Sequence, residues 1–279
     1  MLLSNLNKSS SQIIIFTDLD GTLLDHETYS WDAANPALDL IHEHNIPLIL
    51  NSSKTKDEQL QLRAALNNSH PFIVENGGAV IIPEFYFNTD HITRTDAFNI
   101  EYFGIPHEQL IEAINEYRHK NTVKFSGFSD MSVEEICACT GLDSESSARA
   151  KARTCTEPLL WQDSEKLVHQ LRDFLHEHGL QLVKGGRFYH VMGQFSKADG
   201  VKWLIKQYAE FYKQSVISIA LGDSPNDAEM LNAVDYPIVI PAHDGIRLRI
   251  DHPNVIYAKE AGPAGWREGL LHLLQNQLK

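Results

Sequence analysis

The chain has 279 residues, of which 43% are hydrophobic and 22% are charged, a composition that excludes wholesale disorder, collagen and coiled coil. Its 37 acidic and 24 basic residues give a formal net charge of −13, which disfavours both nucleic acid and an anionic membrane surface as partners. No stretch approaches about 18 uninterrupted apolar residues, so no transmembrane helix is predicted. The length favours one large domain or two.

The first 11 residues, MLLSNLNKSSS, have neither the cationic start nor the apolar core of a signal peptide. We expect them to be a frayed leader before the first strand. The three cysteines, Cys137, Cys139 and Cys155, lack the paired spacing of a disulfide framework or of a four-ligand zinc site. These features predict a cytoplasmic protein with free thiols.

The N-terminal part alternates short, continuous apolar strands with amphipathic helices. The predicted strands cover residues 13–16, 46–50, 72–74 and 79–82, and the predicted helices cover 34–44 and 56–66. Thr55 and Glu58 have the spacing of a capping box at the start of the second helix. Continuous apolar strands that alternate with helices predict a parallel sheet covered on both faces.

From about residue 84 the charge density rises and the strands become shorter. Helices are predicted near 107–120, 132–139, 144–154 and 164–178, and strands near 123–128, 159–161, 180–184 and 187–191. A turn at Gly185 and Gly186 separates the last two strands. This change of pattern predicts an inserted α+β unit.

After residue 196 the first pattern returns. Helices are predicted at 197–212, at 226–234 and after Pro263, and strands at 216–221, 236–240 and 255–258. The predicted fold class is therefore α/β, with a doubly wound, mainly parallel, Rossmann-like core sheet. Residues 1–83 and 191–279 form this core, and residues 84–190 form the insertion.

Polar residues follow three of the predicted core strands. Asp18 and Asp20 come after the first strand, Ser52 after the second, and Asp223 after the strand at 216–221. Ligands of open parallel sheets bind at the carboxyl ends of the strands, and alternate residues of a strand point to the same side. Converging carboxylates repel one another unless a divalent cation lies between them, and hard oxygen ligands suit Mg²⁺.

Each acidic cluster has a structural alternative. The DLDG stretch at 18–21 is also typical of a turn. The GDSPND stretch at 222–227 is also typical of a helix N-terminus, with Asp227 as a capping residue and Pro225 in the first turn. The occurrence of both clusters after buried strands favours the metal site, with Asp227 as a further ligand.

Four motifs, in chain order, resemble those of the haloacid dehalogenase (HAD) superfamily: FTDLDGT at 16–22, Ser52, Lys197 and GDSPND at 222–227. The long insertion between the second and third motifs resembles the type-2 cap of sugar-phosphate phosphatases. Four further segments are similar to the bacterial mannosyl-3-phosphoglycerate phosphatases: NSSKT at 51–55, ENGGA at 75–79, GRFYHV at 186–191 and GPAGWREGL at 262–270. The resemblance extends over essentially the whole chain.

The resemblance implies a Mg²⁺-dependent phosphatase with an aspartyl-phosphate intermediate. Asp18 would be the nucleophile, and Asp20 would protonate the leaving alcohol and then deprotonate the attacking water. The Asp18 carboxylate, the Asp20 backbone carbonyl and Asp223 would hold the metal. Ser52 would hydrogen-bond a phosphoryl oxygen, and Lys197 would supply positive charge to it.

Ser52 and Lys197 also have simpler interpretations. Ser52 could cap the next helix, although Ser53 and Thr55 can fill that role equally well. Lys197 begins a predicted helix, where a cation lies at the unfavourable end of the helix dipole. That local penalty favours a functional reason for this lysine.

A mannosylglycerate phosphate would bring a carboxylate and several hydroxyls to the site. The candidate substrate-binding residues are Ser53, Lys54 and Glu75 on the core side, and Arg187 and His190 on a strand of the insertion. For Arg187 and His190, an exposed strand face is an alternative that stays open. The NGG stretch at 76–78 is also compatible with a hairpin turn.

The insertion would act as a lid that closes over the substrate and excludes bulk water. The candidate hinges are the stretches near residues 83–84 and 192–196. The predicted partner is a small phosphorylated sugar acid, and the oligomeric state is not predicted.

Three hypotheses for the function follow. The first is a phosphatase of mannosyl-3-phosphoglycerate. The second is a related enzyme for glucosyl-3-phosphoglycerate or other sugar phosphates, or of phosphoglycolate type. The third is a catalytically silent phospho-ligand binding protein, which the presence of Asp18, Asp20 and Lys197 disfavours. A dinucleotide-binding dehydrogenase is also disfavoured, because no glycine-rich phosphate turn follows the first strand.

Overall fold

Strands and helices follow one another in the predicted order. The strands are β1 (Gln12–Thr17), β2 (Leu48–Leu50), β3 (Phe72–Val74), β4 (Ala79–Pro83), β5 (Phe98–Tyr102), β6 (Phe125–Gly127), β7 (Thr156–Trp161), β8 (Leu180–Lys184), β9 (Tyr189–Gly193), β10 (Val216–Gly222), β11 (Tyr236–Val239) and β12 (Ile256–Tyr257). The helices are α1 (Asn35–Glu43), α2 (Lys56–Ala65), α3 (His107–Lys120), α4 (Val133–Thr140), α5 (Ser144–Lys151), α6 (Glu165–Glu177), α7 (Lys197–Tyr212), α8 (Ala228–Asn232) and α9 (Gly262–Leu274).

This computed structural model describes residues 12–88, 97–185 and 187–274. The predicted leader at 1–11 and the predicted turn residue Gly186 lie outside the described residues. Among the described helices, none combines the length and the apolar character that crossing a bilayer requires.

Five parallel strands form the central sheet, in the order β12-β11-β10-β1-β2. Successive residues of β1 face opposite sides of this sheet. Ile15 packs with α1 and α9 on one face, whereas Ile14 and Phe16 pack with α7 and α8 on the other. Burial on both faces explains the continuous apolar run of this strand. The predicted α/β class with a mainly parallel core sheet is confirmed.

An antiparallel extension lies beyond β2. A single parallel bridge between Asn51 and Ile73 connects β2 to β3, and β4 then returns antiparallel to β3. The hairpin alternative for residues 76–78 is therefore the one observed. β5 pairs antiparallel with β4 and has no counterpart among the predicted strands. Its sequence, FNIEY, alternates apolar and polar residues, although most of these residues are exposed, and backbone pairing with β4 holds the strand.

The insertion contains a four-stranded antiparallel sheet, in the order β6-β7-β9-β8. Helices α3 and α6 pack against one face of this sheet, and α4 and α5 enclose a smaller cluster around Phe128. Helix α5 ends at Lys151, before the predicted end at 154. Arg153 and Thr154 instead form hydrogen bonds with the core, and these contacts replace a further turn of helix.

The division of the chain at residues 84 and 190 stays a prediction. β5 lies within the predicted insertion but pairs with β4 of the core. β9 belongs to the sheet of the insertion and runs past residue 190 to Gly193.

Gly77 provides a test of how the hairpin turn is packed. It has a φ of +98°, and a Cβ atom there would lie 2.0 Å from the backbone oxygen of Ser196, just before α7. We expect Gly77→Ala to lower the free energy of unfolding by about 2–5 kcal/mol, because it combines left-handed backbone strain with a backbone clash. Denaturant titration measures this change.

Gly141 supplies the matched control. Its φ is +82°, and a Cβ atom there would meet nothing within 4 Å. We therefore expect Gly141→Ala to cost only the left-handed strain, about 1–2 kcal/mol. Equal losses in the two variants would contradict the packing of the turn against α7.

Candidate active site

The loop after β1 carries the first two candidate residues. The backbone N–H of Asp18 donates to Leu221 O at 2.9 Å, which extends the pairing of β1 with β10 by one residue. Gly21 then takes a φ of +82°, and a Cβ atom there would lie 2.8 Å from Asp223 Oδ2. Glycine therefore allows the two acidic loops to approach each other. Thr22 Oγ1 connects them by donating to Asp223 Oδ1 at 2.8 Å.

Lys197 is the first residue of α7 and is 1% exposed. The Ser196 side chain caps this helix, together with Asp199 in a capping box. The Asn51 side chain, at the end of β2, donates to Lys197 O at 3.1 Å. These contacts fix the start of α7 at the carboxyl edge of the central sheet.

The Lys197 ammonium bridges two carboxylates. Its Nζ donates to Asp18 Oδ1 at 2.5 Å and to Asp227 Oδ1 at 2.6 Å. Burial alone would lower the pKa of Lys197, but Asp18 and Asp227 outweigh it and raise this pKa above its ordinary value. The lysine is therefore a permanent buried cation, in agreement with the charge-supplying role that the resemblance implies.

Asp227 is fully buried and already has several protein donors. Its Oδ2 accepts hydrogen bonds from the backbone N–H groups of Asp223 and Ser224 and from the Ser224 hydroxyl, at 3.0–3.1 Å. The sequence left open a structural role for Asp227 in its loop and a place in the acidic cluster. The structure shows both: Asp227 Oδ2 holds the loop together, and Asp227 also faces the other carboxylates. Its role as a metal ligand stays a prediction.

Three carboxylates converge at this edge of the sheet. Asp18, Asp223 and Asp227 each offer an oxygen, and these oxygens lie within 4.8 Å of one another. Burial raises the pKa of Asp18, an effect that Lys197 opposes and that Asp227 and Asp223 reinforce. Burial and Asp227 also raise the pKa of Asp223, to about 7. One lysine does not neutralise three carboxylates, so hard oxygen donors and excess negative charge fit a Mg²⁺ ion.

Asp20 lies beside this cluster. Its Oδ2 pairs with Lys54 Nζ at 2.9 Å, and its buried Oδ1 has no hydrogen-bond partner among the residues that the structure describes. An unpaired buried oxygen indicates a place where a proton, a cation or a substrate group belongs. The use of the Asp20 backbone carbonyl as a metal ligand stays a prediction.

Ser52 is buried at the end of β2. Its Oγ accepts from the backbone N–H of Lys54 at 3.3 Å, and among the described residues its hydroxyl donates to no acceptor. The Thr55 side chain, not Ser52, caps α2 through the predicted capping box with Glu58. The structure thus leaves the Ser52 proton available for a ligand oxygen.

Glu75 is a buried carboxylate that accepts four hydrogen bonds. Its Oε1 accepts from the N–H and Oγ1 of Thr154, and its Oε2 accepts from the Cys155 N–H and from Thr156 Oγ1, at 2.7–3.1 Å. Burial would raise the pKa of Glu75, but Arg153 and these donors lower it. The partners of Glu75 lie in the insertion, so its predicted role in binding substrate has no support from its contacts.

The two candidates on the insertion differ in their surroundings. His190 is 7% exposed, and within the described part of the chain its Nδ1 has no hydrogen-bond partner. Burial, with a smaller effect from Arg153, lowers the pKa of His190 to about 3, so the ring is neutral near pH 7. Arg187 is exposed and donates to Thr140 O, away from the core. Substrate binding by Arg187 stays a prediction without a supporting contact.

Arg153 was missed by the sequence analysis. Its Nη1 donates to Ser53 O at 3.1 Å and to Thr156 Oγ1 at 2.8 Å, which brings a cation of the insertion against the loop that carries Ser52 and Lys54. In the sequence, Arg153 lies at the end of a predicted helix, so only the contact with Ser53 distinguishes it from a solvated arginine.

A family described as haloacid dehalogenase-like hydrolase matches residues 15–244. The chain belongs to this family. The matched region contains all four motifs. The family match therefore confirms the resemblance that these motifs predicted.

Two relatives match along almost their whole length. Both are named glucosyl-3-phosphoglycerate/mannosyl-3-phosphoglycerate phosphatase. The relative from Methanococcoides burtonii is 39% identical over 268 residues, which cover 94% of this chain and 97% of that protein. The relative from Persephonella marina is 38% identical over 265 residues, with the same coverage.

The fold also occurs among solved structures. A HAD-superfamily protein from Bacteroides thetaiotaomicron, solved in a study of phosphatases, has a TM-score of 0.66 at 18% identity, with 97% of this chain and 96% of that chain covered. At 18% sequence identity, this similarity shows a shared fold and nothing further.

The carboxylate cluster predicts a pH-dependent effect of Mg²⁺ on stability. The pKa of Asp223 rises from its ordinary value of 3.8 to about 7 on folding. The stability that this provides is complete below about pH 4 and is lost as the pH rises through about 7. A bound divalent cation offsets that loss. We therefore expect Mg²⁺ to raise the melting temperature more at about pH 8 than at about pH 5.

Scanning fluorimetry at constant ionic strength measures this difference. Asp223→Asn removes one of the repelling carboxylates, so it is expected to raise the melting temperature of the metal-free protein near pH 8 and to reduce the Mg²⁺ effect. An undiminished Mg²⁺ effect in Asp223→Asn would exclude this cluster as the metal site.

Proposed function

We propose that this chain is a Mg²⁺-dependent phosphatase that hydrolyses a glycosyl-3-phosphoglycerate to the glycosylglycerate and inorganic phosphate. The observation that carries the proposal is the difference in hydrogen bonding between the two carboxylate oxygens of Asp18. Lys197 holds its Oδ1 at 2.5 Å, while among the described residues no donor contacts its Oδ2. One carboxylate oxygen is thus fixed, and the other is available to attack a phosphorus atom.

In the first step, an Asp18 oxygen forms a bond to phosphorus and the ester P–O bond to the leaving alcohol breaks. The negative phosphoryl oxygens need positive charge and hydrogen-bond donors in fixed positions. Lys197 supplies the charge, and the free hydroxyl proton of Ser52 supplies a hydrogen bond. Bound Mg²⁺, held by Asp18, Asp223 and, as a further candidate, Asp227, would supply charge neutralisation of carboxylate and phosphate.

Asp20 acts first as the general acid and then as the general base. It donates a proton to the leaving oxygen as the ester bond breaks, and it then removes a proton from the water that hydrolyses the aspartyl phosphate. The ion pair with Lys54 holds Asp20 in place in the absence of substrate. The buried, unpaired Oδ1 of Asp20 is the atom on which we place the transferred proton.

The insertion closes the site against water. Thr55 Oγ1 donates to Arg149 O at 2.9 Å, and Glu75 accepts hydrogen bonds from residues 154–156. These contacts support a lid that lies against the catalytic loops. Opening it requires breaking them, with the stretches near 83–84 and 192–196 as proposed hinges.

The substrate assignment rests on the two relatives together with the polar groups near the site. A glycosyl-3-phosphoglycerate has a carboxylate, which suits a cation beside the catalytic loops, and sugar hydroxyls, which suit the neutral His190 ring. Other sugar phosphates and phosphoglycolate-type esters carry the phosphate but lack either the carboxylate or the sugar hydroxyls. They are the alternative substrates for the same phosphatase reaction.

A panel of phosphate esters tests the proposal. With Mg²⁺, we expect mannosyl- or glucosyl-3-phosphoglycerate to release phosphate with the highest kcat/KM of the panel. Asp18→Asn should lower turnover by at least about 1,000-fold, because the nucleophile is lost. Phosphate release measured by colorimetry is the readout.

Asp39→Asn is the matched control, because Asp39 is an exposed residue of α1 and should keep full activity. Turnover retained by Asp18→Asn would exclude the mechanism. A higher kcat/KM for a simple sugar phosphate would keep the mechanism and replace the substrate. Phosphate-ester binding without turnover of any ester would identify a silent phospho-ligand binding protein.

A further inference from the structure

We infer that Arg153 is the specificity-determining cation of this enzyme, and that it binds the carboxylate of the leaving group. This inference rests on the proposed function, because it concerns the leaving group of that reaction. Arg153 lies outside the four motifs. In this inference it makes the enzyme prefer phosphate esters of acidic alcohols over those of neutral alcohols.

The position of Arg153 is the first argument. Its Nη1 donates to Ser53 O at 3.1 Å, and Ser53 lies between Ser52, the proposed phosphoryl donor, and Lys54, which contacts Asp20. Arg153 therefore contacts the loop that carries both of these residues, and we place the carboxylate of the leaving group at its guanidinium.

The bonding of the guanidinium is the second argument. Nε donates to Ala150 O at 3.1 Å and Nη1 donates to Ser53 O and Thr156 Oγ1, whereas among the described residues Nη2 has no hydrogen-bond partner. Arg153 also forms no ion pair within 4.0 Å in the described part of the chain. The nearby Glu75 carboxylate has both its oxygens occupied by other donors. A half-buried arginine thus keeps unused capacity for an anion.

The surroundings of the guanidinium are the third argument. Pro158 of β7 pairs with His190 of β9, so Thr156, Pro158 and His190 lie on the same face of the sheet. Thr156 on that face contacts Glu75 of the core, which directs the face toward the catalytic loops. His190 contributes a ring that is 93% buried with an unpartnered Nδ1. His190 therefore lies on the same face as Thr156, the residue that Arg153 Nη1 contacts.

Glu75 is the positioning residue in this arrangement. It has a φ of +51°, and it accepts four hydrogen bonds from residues 154–156, directly after Arg153. The carboxylate fixes the backbone that carries Arg153 and does not itself bind the guanidinium. The carboxylate lies close enough to the guanidinium for Arg153 to lower the pKa of Glu75, but it leaves the hydrogen-bonding capacity of Arg153 Nη2 to another anion.

The experiment compares two substrates that differ in the carboxylate: the glycosyl-3-phosphoglycerate, and a glycosyl glycerol phosphate in which the carboxylate is replaced by a hydroxymethyl group. We expect Arg153→Gln to lower kcat/KM for the carboxylate substrate by about 10- to 100-fold, mainly through KM. The same variant should change kcat/KM for the neutral substrate by less than about twofold. Arg153→Lys should retain part of the preference, because it keeps the charge without the planar fork.

Arg172→Gln is the control. Arg172 lies on α6 and contacts His169, so this variant should leave both substrates unaffected. Melting temperatures of all variants show whether they fold. Arg153→Lys keeps the test decisive if Arg153→Gln is unstable. In Glu75→Gln the preference for the carboxylate substrate should fall, because Arg153 loses its fixed position.

The outcomes separate the two proposals. The role of Arg153 would be overturned if Arg153→Gln lowered kcat/KM equally for both substrates, or if it kept the full preference for the carboxylate substrate. Neither result would affect the proposed function. Loss of the preference in Arg187→Gln but not in Arg153→Gln would transfer the role to Arg187. Failure of the proposed function is distinct, because the wild-type enzyme would then show no preference for the carboxylate substrate at all.

Discussion

The buried ammonium of Lys197 is the interaction on which the site depends. It lies 2.5 Å from Asp18 and 2.6 Å from Asp227, at a depth where an uncompensated charge costs several kcal/mol. This cation lies between Asp18 and Asp227 and offsets part of the repulsion among the carboxylates at the sheet edge. The start of α7 must therefore be fixed at that edge. Asn51 and the close contact of Gly77 with Ser196 serve this purpose.

A second buried charge joins the insertion to the core. Glu75 follows β3, and the donors that satisfy it belong to residues 154–156 of the insertion. Because a buried carboxylate needs such donors, the loop after β3 and the segment before β7 stabilise each other. Thr55 and Arg153 add contacts to the same loops. The placement of the insertion is thus coupled to the loops that carry the proposed phosphoryl and acid–base groups.

Local signals in the sequence were sufficient for most elements. The capping box at Thr55 and the continuous apolar run of β1 both appear as predicted, because each depends on neighbours along the chain. β5 was not predicted, although its sequence, FNIEY, alternates apolar and polar residues; most of these residues are exposed, and pairing with β4 completes the strand. The end of α5 was misplaced because contacts with the core replace its last turn.

The sequence by itself determined the α/β class. It predicted the inserted unit and the candidates Asp18, Asp20, Ser52 and Asp223, because these residues follow strands whose carboxyl ends meet at one edge. Lys197 was predicted from the resemblance of its motif. Tertiary structure alone decided the partners of the groups on the insertion. Arg187 bonds to Thr140, Glu75 bonds to residues 154–156, and Arg153 reaches Ser53. These contacts join segments 47 to 100 residues apart, so they depend on tertiary packing, which no local pattern of residues encodes.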